Sequence, residues 1–252
     1  MVNSNKIQIL VTMLIFPVKA YRLNSLECYL LKKVEDIYLG SGYSFKRWPE
    51  IYFGNFEDFP SIKLDQDKNT HLDNELYFYN IDYLGLYVYN STSEGHIRIF
   101  IDRIKYCASK IANNLNLKVD VVVNDLQTIV LIHEIGHWLT HSCHVKNKKI
   151  RLNGFSSQEK IIKETLAQLT VFWSIMKMKN KEIDRLRMIF DYLVDRQSNP
   201  YKAFRELGNK KTYVKTLLKR YGYIADEHIF NFGYDFNYLL YGDIVFKKKK
   251  AI

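Results

Sequence analysis

Five consecutive residues carry the clearest chemistry in this chain: His133-Glu134-Ile135-Gly136-His137. Two histidines four positions apart project from one face of a helix, one turn apart, so both imidazoles can reach a single Zn²⁺ ion at about 2.0–2.1 Å. Glu134 stands about 100° round the helix from His133. Its carboxylate is thereby set beside the ion, as a base for water, and is not itself a ligand. With 7 His among 252 residues, a chance H-E-x-x-H is expected roughly 0.01 times. The flanking Ile129 to Ile132, Ile135, Trp138 and Leu139 predict a buried helix, and a carboxylate buried there without a partner is costly.

The elements that must position these residues can be read from capping signals. Asn124 with Gln127 resembles a capping box ahead of a helix over Leu126 to Thr140, after a short apolar run, Val119 to Val123. Ser156 with Glu159 does the same ahead of a helix over Ile161 to Met178. His141 continues the histidine stripe but lies about 12 Å from His133 along the axis, so all three cannot share one ion on an unbroken helix. His144 becomes available only if the helix ends early, and Glu159 is a rival acid whose place in a first turn is explained by capping.

Val130 to Leu139 resembles the active-site helix of the zincin metallopeptidases. Thr140 and Cys143 stand where the metzincin branch needs Gly and His, so that branch does not fit. Glu164-Thr165-Leu166-Ala167-Gln168 resembles the glutamate helix of gluzincins, and its distance from His137 is similar to that in the compact ImmA/IrrE-type peptidases, which are implicated in cleaving bacterial and phage repressors. The likeness covers about residues 119 to 175. It implies one zinc per chain held by His133, His137 and Glu164, with Glu134 as general base and Gln168 as an acceptor that orients a ligating imidazole. It also implies an oxyanion-stabilising Tyr or His beyond the glutamate helix, for which Tyr221, Tyr223 and His228 are candidates. The strand His96-Ile97-Arg98-Ile99-Phe100 resembles the edge strand on which zincins lay an extended substrate.

The rest of the chain sets the frame. Apolar residues make up 47%, with 11 Gly and 4 Pro, which excludes collagen-like, linker-like and disordered classes. Three cysteines without a C-x-x-C pair support neither a disulfide framework nor a cysteine zinc ribbon. The net charge of +10 gathers after residue 150 and ends in the run Lys247 to Lys250, a candidate contact for nucleic acid or an anionic surface. Lys6 ahead of the apolar stretch Ile7 to Phe16 reads as a buried strand in a cytoplasmic protein, with residues 1–20 as a cleaved secretory signal the alternative.

Leu26, Leu30, Val34 and Ile37 predict a helix after Asn24 that stops at Gly40. Gly40 to Asn74 reads as irregular. Leu76 to Tyr89 and His96 to Ile101 read as an antiparallel pair, followed by a helix capped by Asp102. Further helices are expected from Asn180 and from Asn199-Pro200. The expectation is a single α+β catalytic domain over 1–252: an α+β lobe to residue 123 with a small antiparallel or mixed sheet, the two site helices over 124–178, and a helical lobe beyond. The leading function is a zinc endopeptidase acting on one or a few dedicated proteins. The alternatives are an inert zinc-stabilised scaffold and a basic adaptor for nucleic acid or membrane.

Overall fold

The computed structural model describes residues 23–40, 43–44, 48–59, 79–89, 95–142, 144–145, 148–149, 160–175 and 181–207. Residues 1–20, Glu159, Tyr221, Tyr223, His228 and Lys247 to Lys250 lie outside them.

Helix α1 spans Ser25–Leu39. Asn24 accepts from the Glu27 N–H at 2.8 Å while the Glu27 carboxylate accepts from the Asn24 N–H at 2.9 Å, so two otherwise unpaired donors of the first turn are satisfied together. Leu30, Leu31, Val34, Ile37 and Tyr38 form its buried face. A two-residue strand β1, Tyr43–Ser44, follows.

The segment after Pro49, expected to be irregular, contains strand β2, Ile51–Gly54. Four residues alternating between buried and half-buried are too short a pattern to stand out in sequence, and pairing with distant β4 is what fixes them. Likewise Ile81–Leu84, expected to be strand, is a single helical turn, α2, begun by the Asn80 side chain accepting from the Asp82 N–H. Strand β3 occupies Gly85–Val88 and β4 His96–Phe100. The sheet order is β2-β4-β3, with β2 parallel and β3 antiparallel to β4. The strand expected at an edge is therefore the central one, and its two sides are already paired.

Helix α3, Ile101–Leu115, starts directly at the end of β4. Phe100 is its cap residue, and Asp102 instead accepts from the Phe56 N–H at 2.9 Å. Left-handed Asn116, with φ 53°, turns the chain into helix α4, Val119–Ser142. This helix begins seven residues before Leu126, where the capping reading placed its start, because the run of β-branched valines is carried into the helix and tertiary context overrides a weak propensity. From Asp125 to His141 every side chain of α4 is buried, including polar ones such as Asp125, His133, Glu134 and His137, so these must find their partners inside the protein. The sheet lays Ile51, Phe53, Tyr87, Ile97 and Ile99 into the same core.

Strands β5, His144–Val145, and β6, Lys148–Lys149, join β1 in a second small sheet. Helices α5, Lys160–Ile175, and α6, Lys181–Arg196, then pack on α4. Arg185 on α6 grips Asp125 on α4 with two hydrogen bonds, at 2.5 and 3.1 Å. A short helix α7, Asn199–Lys202, preceded by Ser198 in extended conformation and with Pro200 in its first turn, and a 3₁₀ turn over Ala203–Leu207 close the described chain. The protein is α+β and mostly helical, with a small mixed sheet. Among the described residues no helix is long and apolar enough to cross a membrane.

Candidate metal centre

Close approach of two helices builds the site. Gly136 on α4 faces α5 so closely that a Cβ there would meet the Ala167 Cα at 2.9 Å and the Thr170 Oγ1 at 2.9 Å. Only Gly on one side and a small residue on the other permit that contact. Thr170 is further tied to α1 through Tyr38, whose hydroxyl is 2.9 Å from Thr170 Oγ1. With the axes this near, Glu164 reaches across to the histidine stripe.

The Nε2 atoms of His133 and His137 stand 3.1 Å apart. Glu164 Oε2 lies 3.2 Å from the first and 3.5 Å from the second. Nitrogen and oxygen ligands held at about 2.0–2.2 Å in a tetrahedron are about 3.3–3.6 Å from one another. The three atoms thus have the spacing of three corners around one ion. All three residues are buried, and burying such groups together without a compensating cation is unfavourable. The charge distribution responds accordingly. Burial keeps His133 below the ordinary imidazole range. At His137 burial is outweighed by Glu164, which raises it, while Glu164 itself is held ionised, against burial, by the two imidazoles.

A fourth donor, not anticipated from sequence, belongs to this group: Asp82 offers a carboxylate oxygen such that the ligand atoms of Asp82, His133, His137 and Glu164 all lie within 4.8 Å of one another. This buried group could hold a metal ion. Asp82 Oδ2 accepts from the Tyr201 hydroxyl at 2.6 Å and pairs with Lys160 Nζ at 3.1 Å. Tyr201 is fully buried, with its ring 6.5 Å from that of His133. Burial, and then the surrounding carboxylates, push its phenol well above its usual range and so keep it protonated.

Glu134 is buried beside the group and not among its ligand atoms. The Tyr87 backbone N–H donates to its carboxylate, and Oε1 has no hydrogen-bond partner among the described residues. Burial pushes its carboxyl up to about 8. Tyr87 belongs to β3, an edge of the sheet, and Gly85 brings that strand against α4, since a Cβ at Gly85 would overlap Val130 Cγ1 at 2.5 Å.

Other expected residues are placed differently. Gln168 donates to Gln197 at 2.9 Å, and Gln197 in turn donates to the Tyr79 carbonyl. Neither Gln168 Oε1 nor His133 Nδ1 has a hydrogen-bond partner among the described residues, so in this structure Gln168 braces α5 against the segment after α6 through its amide and accepts from no described imidazole. His141 is 2.7 Å through Nδ1 from the Tyr87 hydroxyl, which makes it an anchor for β3. His144 lies beyond α4, on β5. The residues His96, Ile97, Arg98, Ile99 and Phe100 form the central strand and offer no open edge; among the described residues the outer strands are β2 and β3. Tyr201 could have been suspected from sequence only by its place after α5, among 19 tyrosines. Asp82 gave no signal there.

Compared with known proteins, this chain matches no protein-family model, no curated protein and no solved structure.

Proposed function

We propose that this protein is a zinc-dependent endopeptidase of the zincin type, with the gluzincin ligand set His133, His137 and Glu164. The observation that carries the reading is the combination of three donor atoms at tetrahedral spacing with a buried carboxylate, Glu134, one residue from the first ligand and with one oxygen unpaired among the described residues. Two imidazoles and one carboxylate form the donor set of catalytic zinc sites, which favours zinc over harder ions that prefer all-oxygen cages. Bound there, zinc supplies Lewis acidity that polarises a substrate carbonyl and acidifies a water in the remaining position.

The protein's own groups do the rest. Glu134 accepts a proton from the attacking water and returns it to the nitrogen of the leaving amine as the peptide C–N bond breaks. The Tyr87 N–H fixes one Glu134 oxygen and leaves the other for that transfer. Tyr201, a protonated phenol at the site, is the described residue best suited to donate to the oxygen that gains charge from the carbonyl. An extended substrate would pair with the outer edge of β3, next to Glu134, and not with β4.

Asp82 favours a second reading. If it is a permanent fourth ligand, the sphere is closed and the site is structural. Cleavage of an unbiased peptide library separates the two. The endopeptidase reading expects cuts that disappear with chelator and in Glu134→Gln, while Glu134→Gln keeps its metal. No cleavage by the metal-loaded protein, or cleavage undiminished in that variant, would overturn it.

A further inference from the structure

We propose, building on the metal-site reading above, that Asp82 is a displaceable fourth ligand which closes the coordination sphere in the resting protein. Its backbone is fixed: Ile81 and Leu84, on either side, are completely buried, and Arg103 donates to the Tyr83 carbonyl at 3.2 Å. What remains free to turn is the carboxylate. Its ligand atom is no more than 4.8 Å from those of His133, His137 and Glu164. A bound ligand must come within about 3.3–3.6 Å of the others. A side-chain rotation of little more than 1 Å covers that gap.

Two partners hold the carboxylate beside the site in the position described. The Tyr201 hydroxyl donates to Oδ2, and Lys160 pairs with the same atom. A carboxylate has two oxygens and about four lone-pair directions, so it can keep these contacts through one oxygen and turn the other to the ion. Asp82 is also the most exposed member of the group, its side chain 29% accessible against 6% for Glu164 and 0% for His133. The fourth corner is thus the one that faces outward, where a substrate carbonyl or water must enter. Occupation of that corner by Asp82 lowers the apparent affinity of any entering ligand in proportion to the fraction of time the corner is filled.

The test uses the full chain loaded with Co²⁺, whose visible absorption reports coordination, and titrates imidazole as the entering ligand. Imidazole is neutral, so loss of the Asp82 charge does not in itself attract it. Asp82→Ala and Asp82→Asn should both bind imidazole at least about tenfold more tightly than wild type, as expected if the corner is filled nine-tenths of the time. Asparagine keeps an acceptor for Tyr201, so it guards against a folding defect in the alanine variant. Equal imidazole affinity in all three proteins would overturn the proposal and leave the three-ligand site intact. Loss of Co²⁺ from both folded variants would make Asp82 a permanent ligand and overturn its displaceability. Failure of wild type itself to take up Co²⁺ would overturn the metal site on which the proposal rests.

Discussion

Two polar clusters in this protein use similar side chains to opposite ends. On the outer face of the sheet, Glu50 accepts from the Tyr52 hydroxyl at 2.8 Å, Arg98 Nε donates to His96 Nε2 at 2.9 Å, and the Tyr52 and His96 rings meet edge to face. Donors and acceptors alternate, with Tyr52, His96 and Arg98 half-buried and Glu50 exposed. Between α4 and α5, His133, His137, Glu134 and Glu164 are almost wholly buried, and the lone-pair atoms of His133, His137 and Glu164 converge on one another. The first cluster is complete as it stands. The second could be balanced by a metal ion, and that difference, more than the residue types, points to where a ligand would bind.

The sharpest way to break the contrast is to remove one converging donor. Glu164→Ala should weaken metal binding by more than the 10- to 100-fold that loss of an outer partner costs, measured by competition with a chromophoric chelator. Retention of full affinity would return the helix pair to the same standing as the sheet face. A substitution that separates the helices should act next most strongly. In Gly136→Val the added side chain would collide with Ala167 and Thr170. Overpacking costs about 1–3 kcal/mol, against a few tenths gained by replacing a helical Gly. Urea unfolding should therefore show a net loss, with metal affinity falling alongside as Glu164 is displaced.

The sheet cluster should respond weakly. Arg98→Ala is expected to cost at most about 1 kcal/mol of stability, as for exposed or half-exposed pairs, and to leave metal binding unchanged. Burial, and then Arg98, lower the His96 pKa. Its unfolded state therefore takes up a proton first as pH falls, so folding stability drops slightly below about pH 6.5. Solvent screening keeps the effect small. His96→Gln should flatten that part of the stability profile, and a steeper profile in the variant would contradict the assignment.

What could be read from sequence followed the range of the signals. Helix α1 and the histidine helix are encoded by helical periodicity and by residues a few positions apart, and these could be read directly, while Glu164 was suggested by the likeness of its helix to the gluzincin one. Asp82 and Tyr201 reach the centre only through the packing of α2 and α7 around α5, which no local pattern records. The central position of β4 depends on a four-residue strand 46 positions earlier, as Ile51 pairs with Ile97. The early start of α4 was hidden by valines whose weak preference for strand was overruled by the long helix that follows, buried from Asp125 onward.

Elemental analysis of the freshly purified full chain, beside His133→Ala, tests the account most directly. About one zinc per chain in the wild type and almost none in the variant is the expected result. Absence of a stoichiometric transition metal from the wild type, or its full retention by the folded variant, would contradict the account at its centre.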